Sequence, residues 1–162
     1  MAARNKPVLL FDLDGTLTDT LPGTFRAFQD AVEPALGRRP AVQEILDRFG
    51  PTDHRIVTEW VGPAEAPRAL ERLYAAYARE FREVRPFPGV PEILEELCAR
   101  GRRLGLFTGR GRPSTGDLLR ALDFERLFEA VVTGEEVARP KPAPDGVLEI
   151  LAAMCAVPAD AV

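Results

Sequence analysis

The stretch Val8-Leu9-Leu10-Phe11-Asp12-Leu13-Asp14-Gly15-Thr16-Leu17-Thr18-Asp19 decides how this chain reads. Its first four residues form a short apolar run, of the kind buried on both faces of a parallel sheet. Two carboxylates spaced two apart follow at once, and then a Gly-Thr turn. In extended backbone, residues i and i+2 face the same way, so Asp12 and Asp14 are expected to project together from the carboxyl end of a buried strand. Open α/β sheets place their sites at that end. Two like charges held so close raise each other's pKa unless a cation offsets them. A hard cation such as Mg²⁺ would do so, since it prefers carboxylate oxygens. A division of labour would also explain the pair, with one carboxylate attacking and the other carrying a proton. Asp-x-Asp-Gly alone reads as a solvated turn; the apolar lead and Thr16 tip the reading towards chemistry.

The chain has 162 residues, enough for one core of ordinary size or a core plus a small insert. Its 46% hydrophobic and 28% charged residues are those of a soluble globular protein. A net charge of -4 argues against nucleic acid or an acidic membrane surface as the main partner. Cys98 and Cys155 both fall in helical patterns, with no His or second Cys nearby. Neither a disulfide scaffold nor a zinc site is expected, and a reducing cytoplasm is favoured. Residues 1–6 are polar, and the apolar run after them is cut by Asp12, so no signal peptide or membrane span is expected. Composition carries no signal for oligomeric state.

Downstream, Leu21-Pro22-Gly23 reads as a backbone break. Phe25, Phe28, Val32 and Leu36 then recur at helical spacing, and Gly37 stops that helix. Val42, Ile45, Leu46 and Phe49 mark a second helix, ended by Gly50-Pro51. Asp53 is a candidate N-cap for a third, which carries Ile56, Val57, Trp60 and Val61. A longer helix is predicted over 65–84, with Leu70, Leu73, Tyr74, Tyr77 and Phe81 on one stripe. No strand signal interrupts this segment. An inserted helical subdomain is therefore expected over 21–85, with 1–20 and 86–162 forming the core. His54, the only His, reads as a surface or half-buried side chain. Trp60, Tyr74 and Tyr77 read as bundle core rather than a ligand box.

Arg85-Pro86-Phe87-Pro88-Gly89-Val90 reads as a stiff hinge. Val90, Ile93, Leu94 and Leu97 give an amphipathic helix closed by Gly101. Arg103-Leu104-Gly105-Leu106-Phe107 is a second short buried strand, ending in Thr108-Gly109-Arg110. Leu118, Leu119 and Leu122 mark the next helix, and 128–133 a third strand ended by Gly134. A loop over 139–145 leads to a last helix with Val147, Leu148, Ile150, Leu151 and Met154. Strands alternating with helices imply βαβ units. The expected fold class is α/β, a Rossmann-like parallel sheet core with an inserted all-helical subdomain.

In a parallel sheet the loops after the strands share one edge, so Asp12 and Asp14, Thr108 and Lys141 can converge. A phosphoryl site needs a nucleophile, a proton carrier and donors for the phosphate oxygens. The Thr108 hydroxyl can donate to a phosphate oxygen, and the Gly109 amide adds a backbone donor with no side chain in the way. Lys141 sits between two prolines, which restrict where its ammonium points. Each residue alone has a bland reading, a strand-end turn or a surface lysine. Their order and spacing together favour a phosphate site.

Phe11-Asp12-Leu13-Asp14-Gly15-Thr16-Leu17, Phe107-Thr108-Gly109 and Lys141-Pro142-Ala143-Pro144-Asp145 resemble the first three motifs of the haloacid dehalogenase superfamily. The Phe87-Pro88-Gly89-Val90 hinge and the helical insert resemble its helical-cap subgroup, which includes phosphoglycolate-phosphatase-like and β-phosphoglucomutase-like enzymes. The resemblance spans nearly the whole chain. It implies Asp12 as the nucleophile that takes the phosphoryl group and as a Mg²⁺ ligand. Asp14 would protonate the leaving alcohol and then activate water, its backbone carbonyl binding the metal. Thr108, Gly109 and Lys141 would hold the phosphate, and the cap would close over a small phosphorylated metabolite. Thr16 resembles the phosphatases more than the mutase branch, where Val is common.

The family also has a fourth, acidic motif at the end of another strand. Pro158-Ala159-Asp160-Ala161-Val162 reads as the lead into that strand. The resemblance thus implies a chain cut before its fourth motif, with an open apolar edge beside the first strand. Three readings stand. The first is a Mg²⁺-dependent phosphatase acting on a phosphoglycolate-like compound or a sugar phosphate. The second is a phosphosugar mutase of the same superfamily. The third is a catalytically impaired remnant acting as an interaction module.

Overall fold

The structure, a computed structural model, describes residues 7–162, and the expectation for residues 1–6 lies outside them. Strand β1 (Val8–Phe11) runs parallel to β2 (Arg103–Thr108), with Val8 opposite Arg103 and Phe11 opposite Leu106. Strand β3 (Ala130–Thr133) lies parallel on the far side of β2, with Gly105 opposite Ala130 and Thr108 opposite Thr133. The order β1-β2-β3, all parallel, sends the chain out of every strand at one edge. On the free side of β1, Val162 donates to the Val8 carbonyl and accepts from the Leu10 amide, both at 3.0 Å. Ala161 bridges Val8 in parallel. The edge expected to be open is therefore partly paired, because the residues after the short turn Pro158–Asp160 align with β1.

Helices cover both faces. Along β2, Leu104 and Leu106 face one side, where they meet Leu94 of helix α5 (Val90–Ala99) and Leu118 of helix α6 (Arg112–Ala121). Phe107 faces the other, against Ile150 and Leu151 of helix α7 (Asp145–Ala153). This period of two is why the strand is apolar at nearly every position. Gly105 leaves room for side chains from α7 and β1; a Cβ there would stand 2.6 Å from Ile150 Cγ2 and 2.7 Å from Leu10 Cδ2.

Between β1 and α5 the chain is helical, with α1 (Leu21–Leu36), α2 (Val42–Leu46), α3 (Asp53–Val61) and α4 (Ala66–Glu80). Phe28, Ala31, Val32, Leu73, Ala76 and Tyr77 fill the seam between α1 and α4. This cap is tied to the core by two crossing strands of chain. Thr18 and Pro86 form an antiparallel bridge, and the Phe87 amide donates to the Leu17 carbonyl at 3.0 Å.

Several boundaries differ from the sequence reading. Leu21-Pro22-Gly23 opens α1 instead of breaking the chain; a proline in the first turn has no partner to lose, so it starts a helix well. Helix α2 stops at Leu46, and Phe49 lies beyond it, its ring 6.0 Å from Phe25 and 6.1 Å from Phe28. The cap of α3 is Thr52, whose hydroxyl accepts the Arg55 amide at 3.3 Å, and Asp53 is the first helical residue. Helix α4 ends at Glu80 and not at 84. Strand β3 begins at Ala130, since a 3₁₀ turn at Glu125–Leu127 takes up the chain before it. Cys155 lies past the end of α7 at φ 48 and is exposed.

Candidate active site

After Phe11 the chain folds tightly on itself. The Leu13 carbonyl accepts the amides of Leu17 at 3.0 Å and Thr18 at 3.2 Å, and Gly15 closes the loop at φ 75. That positive φ is one glycine adopts freely. Asp12 and Asp14 both line a cavity of about 180 Å³ at the carboxyl edge of the sheet. Gly109 and Arg110 after β2, and Lys141 before α7, line it as well. The cap supplies the opposite wall, with Asp53 from α3 and Tyr77 from α4.

The Lys141 ammonium lies 2.8 Å from Asp12 Oδ1 and 5.0 Å from the centre of the Phe107 ring. Thr108 is fully buried behind the cavity, and its hydroxyl accepts the Arg110 amide at 3.2 Å. Asp12, Asp14, Gly109 and Lys141 are thus brought together, with Thr108 supporting the turn behind them.

Arg110 was not singled out by sequence spacing, yet it dominates this region. Its Nη2 lies 2.5 Å from Asp14 Oδ1 and its Nε 3.2 Å from Oδ2, a two-pronged match to the carboxylate. Nη2 also reaches Thr24 Oγ1 of α1 at 3.3 Å. The guanidinium stacks on cap rings, 4.6 Å from the centre of Tyr77 and 4.4 Å from that of Phe81. Thr20 adds a hydroxyl donor to Asp14 Oδ1 at 2.5 Å. Burial pushes the Asp14 carboxyl up, but the charge and hydrogen bonds of Arg110, with Thr20 and the charge of Lys141, outweigh it and hold it below the ordinary range. Asp53 goes the other way. Burial pushes it up to about 6, the Arg110 charge and a Tyr77 hydrogen bond pulling it down and the charges of Asp14 and Glu135 adding to the rise.

Tyr77 combines two roles the sequence reading treated as exclusive: it packs in the bundle and walls the cavity. Trp60 is half-buried at the bundle's edge, with Arg48 4.2 Å above its ring. His54 is exposed, beside a shallow recess separate from this cavity.

Mg²⁺ binds through one or two carboxylates and keeps waters for substrate phosphate. Asp12 and Asp14 supply that donor type in one cavity. Among the described residues no group of three or more His, Cys, Asp or Glu gathers as a metal site. The residues present fit a partly hydrated Mg²⁺ and not a cation enclosed by protein. No helix among the described residues is long and apolar enough to cross a membrane.

A family model described as haloacid dehalogenase-like hydrolase matches residues 9–162. The chain belongs to that family. Phosphoglycolate phosphatase of Escherichia coli (strain K12) is 32% identical to it over 174 residues, covering 91% of this chain and 69% of that protein. A 5'-nucleotidase of Pseudomonas aeruginosa is 34% identical over 139 residues, covering 83% and 62%. Among solved structures, a hydrolase from Pseudomonas syringae superposes with a TM-score of 0.81 at 25% identity, over 97% of this chain and 74% of that one.

Proposed function

We propose that this chain is a phosphoric monoester hydrolase that acts on a small phosphorylated metabolite through an aspartyl-phosphate on Asp12. The observation that carries the reading is the Lys141 ammonium 2.8 Å from Asp12 Oδ1, with Asp14 in the same cavity. Family membership, and relatives named as a phosphatase and a nucleotidase, support the same class. A cavity of about 180 Å³ suits a small ester, since pockets for drug-sized ligands run to roughly 300–1,000 Å³.

In the first half, an Asp12 oxygen attacks phosphorus and the bond from phosphorus to the leaving oxygen breaks. Asp14 gives its proton to that oxygen, and the alcohol departs. In the second half, water attacks the phosphoryl group, Asp14 takes the water's proton, and inorganic phosphate leaves Asp12. Lys141 and the Gly109 amide stabilise the charge on the phosphoryl oxygens, with the Thr108 hydroxyl behind them. A bound Mg²⁺, held by the Asp12 carboxylate and the Asp14 backbone carbonyl, would neutralise part of that charge. Arg110 keeps Asp14 a carboxylate, the form that serves the second half; for the first half Arg110 must release one Asp14 oxygen, which takes up a proton from solvent before passing it to the leaving oxygen. We further assign residues 21–85 as the cap and 1–20 with 86–162 as the core, a division the paired crossing at Thr18 and Pro86 supports.

The test is release of phosphate from para-nitrophenyl phosphate with and without Mg²⁺. We expect Mg²⁺-dependent release by the wild type and none by Asp12→Asn. Release by Asp12→Asn at the wild-type rate would refute the nucleophile assignment.

A further inference from the structure

The phosphoryl chemistry uses the core wall of the cavity. On the cap wall stands Asp53, the first residue of α3, which that chemistry does not use. Helix capping does not account for it, because Thr52 makes the cap contact. Asp53 is 8% exposed, and its Oδ2 has no hydrogen-bond partner. A buried carboxylate oxygen left without a donor is destabilising, and such atoms are uncommon in native interiors. The other charges on the wall are matched: Lys141 with Asp12, and Arg110 with Asp14. The Arg110 Nη1, which also lacks an acceptor, belongs to a guanidinium stacked on two aromatic rings. Three carboxylates and two cations line the cavity. A second carboxylate carried by a substrate would meet Asp53 with no unmatched cation among the described lining residues.

We infer that Asp53 reads the alcohol part of the substrate by accepting a hydrogen bond from one of its hydroxyls. The preferred substrate is then a small phosphate monoester of a polyol or sugar, and not of a hydroxycarboxylate. The inference rests on the phosphatase reading and adds the class of leaving group to it. A site built to accept from a hydroxyl rejects an analogue that leaves its own polar atom unpaired.

Ethyl phosphate, 2-hydroxyethyl phosphate, glycerol 1-phosphate and phosphoglycolate form a matched series. The first lacks a hydroxyl on its alcohol part, and the last carries a carboxylate in place of CH₂OH. We would measure kcat and KM for each with Mg²⁺ on the wild type, Asp53→Asn and Asp53→Leu, confirming folding by circular dichroism. The wild type should favour glycerol 1-phosphate over phosphoglycolate by roughly 10- to 100-fold in kcat/KM, the worth of a hydrogen bond to a charged group. Most of that preference should lie in KM, since binding of a remote hydroxyl is the same in ground and transition states. Asp53→Leu should shrink the ratio to within about threefold, and Asp53→Asn, whose amide oxygen still accepts, should keep part of it. A wild-type preference for phosphoglycolate, or a ratio unmoved by Asp53→Leu, would overturn the inference.

Para-nitrophenyl phosphate separates the two claims. If the wild type releases no phosphate from it or from the series, the phosphatase reading fails. Calorimetric titration of the same proteins with glycerol 1-phosphate and phosphoglycolate then decides the role of Asp53. Tighter binding of glycerol 1-phosphate that Asp53→Leu removes supports it; equal binding, or none, overturns it.

Discussion

Replacing Asp53 with Asn should make the folded chain more stable at neutral pH. Burial raises the Asp53 carboxyl from 3.8 to about 6. Between those values the native state holds a proton that the unfolded chain has lost, so stability falls as pH rises through the window. Above about pH 6 both states are ionised and the full penalty applies; below about pH 4 both are protonated and it vanishes. A rise from 3.8 to about 6 corresponds to about 3 kcal/mol at about 1.36 kcal/mol per pKa unit. Asn keeps the shape and removes the charge. Urea denaturation in EDTA at pH 8 should show Asp53→Asn more stable than the wild type by about 2–3 kcal/mol, a midpoint shift of roughly 1–2 M. The gap should close as pH is lowered towards 4. A variant less stable than the wild type at pH 8, or a gap independent of pH, would show that Asp53 is well accommodated and that its burial imposes no cost. A destabilising carboxylate at a cavity wall is the pattern expected of a group kept for binding.

Lys141→Ala should lower kcat/KM on para-nitrophenyl phosphate by roughly 10²- to 10³-fold, the usual loss on removing one charge-stabilising donor; a change under threefold would remove Lys141 from the site. Arg110→Ala leaves Asp14 without its cation. Because the Asp14 side chain is 21% exposed, the cost should fall at or below the low end of the range for buried pairs, about 2–3 kcal/mol by thermal or urea unfolding. Steady-state assays should show its kcat falling more than its KM rises, with partial recovery in Arg110→Lys, which restores charge without the fork. Gly146→Ala would place a Cβ 2.3 Å from the Phe107 ring and should lower stability by about 1–3 kcal/mol, seen as a melting temperature reduced by roughly 3–10 °C.

Local patterns made most of the core legible in the sequence. The apolar runs into Asp12 and along Leu104–Phe107 marked buried strands, and the Leu70–Phe81 stripe marked α4, because burial on a regular element leaves a trace in the order of its apolar residues. Boundaries were less legible where two signals compete. Pro22 and Gly23 are turn residues in isolation, but a helix start uses a proline equally well. Thr52 and Asp53 are both good caps, and which one caps depends on where Asp53 is drawn by tertiary packing. The central cation was not legible. Arg110 follows the Thr108-Gly109 motif as an ordinary polar loop residue, and nothing local indicates that it turns inward onto Tyr77 and Phe81, more than 25 positions earlier in the sequence. A charge run does not reveal which of its members is buried; only the aromatic rings contributed from the cap do.

The hydrogen-bonded crossing at Leu17–Thr18 and Pro86–Phe87 brings the two ends of the helical segment side by side. To the sheet, everything between them is a single excursion that leaves and returns at one point. Its length and composition can therefore drift without shifting the register of β1 or β2, because the closure is made locally and not through the excursion itself. The same economy lets one catalytic edge be paired with differently shaped lids, so that a change of diet need not disturb the machinery that breaks the bond.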